Sequence, residues 1–162
     1  MILATVGTQL PFPRLTDAVA AWARAKGEAA TIQTGTGPGT GAERDEGGVR
    51  WRGAIPPAEF DALFREARVV VGHAGIGTIL TAQRLGRPLV VMPRRADLQE
   101  HRNEHQRATA RHVEGLPGIH VAWTVEDLAP LLSRDDLPPA VAGAGEGLNR
   151  LHDRIRAFLS GD

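Results

Sequence analysis

Val69-Val70-Val71-Gly72-His73-Ala74-Gly75-Ile76-Gly77-Thr78 reads as a strand that runs through a glycine turn into a helix. Three β-branched residues in a row, without polar alternation, suit a strand covered on both faces, as in a parallel sheet between two helical layers. The helix continues through Leu80 and Leu85 to Gly86, and Pro88 to Met92 forms the next strand, closed by Pro93. Upstream, Ile2 to Val6 and Ala29 to Gln33 have strand character. Leu15, Val19, Trp22 and Ala23 lie between them at helical spacing. Val49-Arg50-Trp51 makes a third strand, and Pro56-Pro57 opens a helix carrying Phe60, Leu63 and Phe64, since a first turn tolerates proline. Downstream, a helix is expected from about Glu100 to Val113 and a strand from Ile119 to Trp123. Thr124-Val125-Glu126-Asp127 then has the look of an N-cap with acids in the first turn. After a Pro138-Pro139 to Gly147 linker, Leu148, Leu151, Ile155, Phe158 and Leu159 form one face of a terminal helix. Strand and helix alternate about six times. The expected fold is therefore α/β: a Rossmann-like parallel sheet with helices on both faces over residues 1–137, and a linker plus C-terminal helix over 138–162.

Composition narrows the function. At 162 residues the chain holds one well-filled core. Lys+Arg and Asp+Glu are both 19, and a protein that neutralises many phosphates carries a basic excess, so nucleic acid is a poor fit. The absence of cysteine removes disulfides, thiolate metal sites and cysteine nucleophiles, and suits a cytoplasmic location. No apolar run approaches a membrane helix, and no basic, signal-like stretch precedes Ile2. Eighteen of the nineteen basic residues are Arg, so Schiff-base chemistry would rest on Lys26 alone.

Ligands of open parallel sheets bind beyond the carboxyl ends of the strands, and three loops there carry usable chemistry. Gly72 to Thr78 is the best phosphate cradle: free N–H groups at a helix N-terminus bind anions, and missing Cβ atoms admit a diphosphate. It is neither a GxGxxG fingerprint nor a Walker A loop. Gly7-Thr8-Gln9 offers close backbone approach, a hydroxyl and an amide. Pro93 to Gln106 gathers Arg94, Arg95, Asn103, His105 and Gln106, side chains suited to a sugar's hydroxyls. Gly35 to Gly41 reads as a flexible connection. One competing pattern overlaps the third loop. His101-Arg102-Asn103-Glu104-His105 satisfies H-x-x-E-H, and on a helix His112 would share the face of both histidines to within about 20°. That leaves a zinc hydrolase as an alternative.

The stretches Val71 to Leu80, Gly86 to Arg94 and Glu100 to Gln106 together resemble the C-terminal domain of family 28 glycosyltransferases, above all the stand-alone subunits of two-part bacterial exopolysaccharide enzymes. The soluble subunit of the eukaryotic dolichol-linked N-acetylglucosaminyltransferase is similar, and Val6-Gly7-Thr8-Gln9 with Phe12 and Leu15 fits the same group. The resemblance spans about residues 1 to 125. It implies one half of a GT-B enzyme, without a cofactor, in which Gly75, Ile76, Gly77 and Thr78 hold the diphosphate of a UDP-sugar. It further implies that Asn103, His105 and Gln106 face the donor sugar and that Gly7-Thr8 lies at the cleft. A membrane-associated partner subunit would bring a lipid-linked saccharide acceptor and recruit this chain to the inner face of the membrane, docking on the Leu148 to Leu159 face. Relatives carry Glu where this sequence has Thr81, which weakens the expected grip on ribose. The sequence has no Asp-x-Asp, so the expected mechanism relies on the helix N-terminus rather than a metal ion. Arg94 or Arg95 would add positive charge near the phosphates, and His73 is the candidate general base. A non-catalytic nucleotide-binding or scaffold protein is the remaining alternative.

Overall fold

The computed structural model describes residues 1–8, 10–37 and 43–141. The expected terminal helix from Leu148 to Leu159, like Gln9, lies outside the described residues. In chain order the elements are β1 Ile2–Thr5, α1 Pro13–Lys26, β2 Ala30–Gln33, β3 Arg44–Glu46, β4 Val49–Arg52, α2 Pro57–Glu66, β5 Val69–His73, α3 Ile76–Leu85, β6 Leu89–Met92, α4 His105–Val113, β7 Ile119–Val121 and α5 Leu128–Leu132.

They form one seven-stranded sheet in the order β3-β4-β2-β1-β5-β6-β7. The pairings from β4 to β7 are parallel, as expected, whereas β3 adds an antiparallel edge through Glu46↔Val49. Arg44–Glu46 is exposed and polar, so hydrophobic patterning gave no sign of it. It exists because Gly47 and Gly48, both at positive φ, turn the chain back onto β4.

Period-two alternation divides the core into two layers. Ile2, Ala4, Val69, Val71, Val90 and Met92 face Leu15 and Val19 of α1 and Leu128 and Leu132 of α5. Leu3, Val70, Leu89 and Val91 face Phe64 of α2, Ile79 and Ala82 of α3 and Val113 of α4. Burial on both faces is what the Val69-Val70-Val71 run requires. From β1 the chain winds outward to β2 in one direction and returns to β5 in the other. The crevice where ligands bind in such sheets thus opens at the carboxyl ends of β1 and β5.

Two helix starts differ from expectation. Residues 96–104 form turns, and α4 begins only at His105. The Glu100 carboxylate accepts from the Arg95 N–H at 2.9 Å and the Glu104 carboxylate from the Ala96 N–H at 2.9 Å, so both side chains fold the segment back onto the loop after β6 and hold it in turns ahead of the helix. Likewise α5 starts at Leu128. The Asp127 carboxylate reaches back to the Thr124 N–H at 2.8 Å and closes a turn ahead of the helix.

Arg94 fixes the loops above β1 and β6 relative to one another. Only 2 % exposed, its guanidinium donates to the carbonyls of Pro11 (2.6 Å), Leu10 (2.7 Å), Val6 (3.1 Å) and Glu100 (3.4 Å), and it stacks 4.6 Å from the Phe12 ring centroid. Its N–H donates to Gln106 Oε1 at 3.1 Å. Arg14 braces the same junction, reaching both Glu100 carboxylate oxygens (2.7 and 2.8 Å) and the Pro93 carbonyl (3.0 Å). Arg94→Met removes the donors and leaves buried carbonyls unpaired, so it is expected to cost about 3 kcal/mol or more of stability in urea unfolding. Arg94→Lys, lacking the planar fork, should recover less than half of that loss.

Candidate functional site

Two adjoining cavities open at the carboxyl edge of the sheet. The larger, about 520 Å³, is lined by Gly7 and Thr8 after β1, by Thr5 and Gln33 at the ends of β1 and β2, and by Gly75, Ile76, Gly77, Thr78 and Thr81 at the start of α3. Its far wall is apolar, formed by Ile55, Pro57 and Phe60 between β4 and the first turns of α2. The smaller, about 260 Å³, is lined by Val6, Leu10, Arg94, His101 and Gln106. Gly7, Thr8 and His73 border both.

The larger cavity meets the N-terminus of α3. Gly75 caps the helix in extended conformation, and its carbonyl accepts the first intrahelical bond from the Ile79 N–H at 3.2 Å. The N–H groups of Ile76, Gly77 and Thr78 precede that bond and have no intrahelical acceptor. No acidic side chain occupies the first turn and no side chain caps it. The partial positive charge of the helix end therefore faces the cleft uncompensated. Gly72 serves the approach from below: a Cβ there would lie 3.0 Å from the Thr78 methyl.

His73 is a wedge between the two glycine turns. A Cβ on Gly75 would fall 2.2 Å from its Nε2, and one on Gly7, which is at φ +78°, would fall 3.1 Å from its Cε1. Burial pushes the imidazole down to about 4, with the nearby Arg94 charge acting in the same direction. His73 is thus neutral at physiological pH and a weaker base than free imidazole. Relative to an unfolded value of 6.5, the depressed value favours folding fully above pH 6.5, and that contribution is lost as pH falls through 4.

The structure brings Gly7, Thr8, His73, Gly75, Ile76, Gly77, Thr78 and Thr81 around one cavity. It distributes the remaining expected residues differently. Arg94 lines the smaller cavity, but its guanidinium is engaged by backbone carbonyls rather than aimed at the α3 end. Arg95 is paired with Asp97 at 2.5 Å on the surface and lines neither cavity. Gln106 reaches the smaller cavity while supporting Arg94; Asn103 and His105 are exposed and line neither. The Thr81 hydroxyl donates back to the Gly77 carbonyl at 2.8 Å. Thr5, Gln33, Ile55, Pro57 and Phe60 border the cleft without a site signal in the sequence: Thr5 and Gln33 end strands, and Ile55, Pro57 and Phe60 belong to the loop after β4 and the first turn of α2. His101, expected only as a zinc ligand, lines the smaller cavity instead.

The zinc pattern loses its geometric basis. His101 and Asn103 sit in turns ahead of α4, so His101 and His105 do not share a helical face, and Glu104 is held by Ala96 and Arg107. His101 Nδ1 lies 3.0 Å from Asn103 Oδ1. Among the described residues, no three His, Asp or Glu side chains are grouped to hold a metal ion.

The wedge makes a coupled prediction. Gly75→Ala must displace the imidazole and is expected to cost about 1–3 kcal/mol in thermal or urea unfolding; in a His73→Ala background the same substitution should cost almost nothing. His73→Ala should also flatten the fall in stability between pH 6.5 and 4, a window worth up to about 3 kcal/mol.

With this geometry in place, comparison with known proteins gives a consistent result. Residues 1–134 match the glycosyltransferase family 28 C-terminal domain. The chain is 29 % identical to the UDP-N-acetylglucosamine transferase subunit ALG13 of Eremothecium gossypii, with 86 % of each chain covered. The NMR solution structure of ALG13 superposes with a TM-score of 0.60 at 19 % identity, covering 95 % of this chain and 93 % of that one. The crystal structure of MurG from Acinetobacter baumannii gives 0.58 at 16 % identity over 84 % of this chain, and the kitacinnamycin glycotransferase 0.59 at 22 % over 96 %. This chain spans about two fifths of the length of those last two proteins, 42 % and 39 %. Sequence match and architecture agree: the chain belongs to the glycosyltransferase family 28 C-terminal domain family and has the fold of one half of a GT-B glycosyltransferase.

Proposed function

We propose that this chain is the donor-binding subunit of a two-part glycosyltransferase that moves a sugar from a UDP-sugar to a polyprenyl-diphosphate-linked saccharide in exopolysaccharide synthesis. The observation that carries the reading is the uncompensated N-terminus of α3 facing a cleft at the switch point of the sheet. The diphosphate sits against the N–H groups of Ile76, Gly77 and Thr78, and the base lies along the Ile55, Pro57 and Phe60 wall. The donor sugar extends past His73 toward the smaller cavity, where Thr8, His101 and Gln106 are available to its hydroxyls.

In the reaction the bond between the anomeric carbon and the diphosphate oxygen breaks as the acceptor hydroxyl oxygen bonds to that carbon from the opposite face. The configuration inverts and nucleoside diphosphate leaves. Negative charge grows on the departing oxygen, so fixed N–H dipoles aimed there stabilise the transition state more than the ground state. His73 is neutral and weakly basic, which suits it to ordering the loops better than to removing the acceptor proton. The base then belongs to the acceptor-binding partner, a membrane-associated polypeptide that recruits this chain to the inner face of the membrane. None of the described helices is long and apolar enough to cross a membrane, which is compatible with that division of labour. The Leu148 to Leu159 face is assigned to the partner contact; unchanged partner binding after deletion of 148–162 would dismiss that assignment.

Titration calorimetry with UDP and UDP-sugars tests the donor site directly. Gly77 is exposed and a Cβ there meets nothing within 4 Å. Gly77→Asp should leave the fold intact, or stabilise it by about 0.5–1 kcal/mol, because a first-turn carboxylate complements the helix end. The same carboxylate repels a diphosphate, and nucleotide affinity should fall at least tenfold. Equal affinity of wild type and variant would place the nucleotide elsewhere.

A further inference from the structure

The floor of the larger cavity holds a polar pair with no role in the reading above. Thr5 ends β1, Gln33 ends β2, and the two are register partners. Their side chains are 2 % and 7 % exposed, yet both line the cavity. The Gly7 N–H donates to Thr5 Oγ1 at 3.4 Å, and the Thr5 hydroxyl donates to Gln33 Oε1. The hydroxyl oxygen receives the Gly7 N–H, and its own proton goes to the carboxamide oxygen of Gln33. The Gln33 carboxamide is thereby fixed with its oxygen toward Thr5 and its NH2 group turned away. Among the described residues that NH2 has no partner, and it is not sealed in the core but reaches the cavity. A donor this deeply placed is costly to leave unmatched once a ligand displaces water.

Its position identifies the matching group. In the sheet, β2 lies between β4 and β1. The apolar wall of Ile55, Pro57 and Phe60 follows β4, and the N–H-lined end of α3 lies beyond β1, after β5. A nucleoside diphosphate with its base on that wall and its phosphates at α3 carries its ribose over Gln33. Thr81 borders the same cavity, but its hydroxyl proton is committed to the Gly77 carbonyl, so toward a ligand it can only accept. A ribose hydroxyl can give its proton to Thr81 and receive one from Gln33.

We infer that Gln33 is a nucleotide-binding residue whose carboxamide N–H donates to a ribose hydroxyl oxygen of the donor, and that Thr5 is the positioning residue that sets its orientation. This inference rests on the nucleotide reading above.

Calorimetry of the full chain with UDP, 2′-deoxy-UDP and 3′-deoxy-UDP tests it. Wild type should bind UDP more tightly than one of the deoxy nucleotides. Gln33→Met should weaken UDP about five- to tenfold while leaving affinity for that deoxy nucleotide unchanged. Thr5→Val, which keeps the shape and frees the amide to flip, should erode the same discrimination by a smaller factor, and it carries the test alone if Gln33→Met does not fold. Wild-type affinity of the variants for all three nucleotides overturns the inference, as does an equal loss across all three, which marks a purely structural pair. Wild type that binds none of the three overturns the nucleotide reading itself.

Discussion

A buried guanidinium joins the loop after β1 to the loop after β6. Among the described residues no carboxylate pairs with the Arg94 fork; its donors meet backbone carbonyls of Val6, Leu10, Pro11 and Glu100 over the face of Phe12. Burial lowers its affinity for the proton to about 10, still far enough above neutrality to keep it charged. A charge so placed is stable only because several dipoles converge on it, and those dipoles are the turns that border the cleft. The positions of Gly7 and Thr8, and through Gly7 the seat of His73, follow from this junction.

His73 carries the constraint across the site. It fits only because Gly7 and Gly75 lack side chains, and its ring separates a cavity ending at the α3 N-terminus from a smaller one bordered by His101 and Gln106. Two compartments meeting at one neutral side chain suit a ligand with a charged, a flat and a hydroxylated part. The charged part has the helix end, the flat part the apolar wall after β4, and the hydroxylated part the polar rim of the smaller cavity.

The Pro93 to Gln106 segment shows how one stretch of sequence supports conflicting readings until the backbone path is known. As a helix it would place His101 and His105 on one face; as a sugar loop it would present Arg94, Asn103 and His105 to a ligand. It is a turn-rich segment held by Glu100, Glu104 and Arg14, with Arg94 directed inward and Asn103 and His105 outward. Long-range hydrogen bonds decide this, Arg94 to Leu10 and Arg14 to Glu100 among them, and no local pattern encodes them.

The sequence by itself determined the strand and helix succession, because apolar periodicity and the glycine and proline punctuation are local. It also determined the glycine turn that leads into α3, since a buried strand followed by Gly72 to Thr78 and a helix permits few backbone paths. It did not determine the β3 edge strand, which has no hydrophobic face to advertise it, nor the late start of α4. Only the tertiary structure decided which polar side chains support the fold and which border the cleft: Arg94 went inward to unpaired carbonyls, Thr81 folded back on its helix, and Gln33 came to the cavity floor. The reason is physical. A polar side chain takes the nearest unsatisfied partner, and for each of these residues except Thr81 that partner, or the cavity it faces, is assembled from segments far apart in the chain.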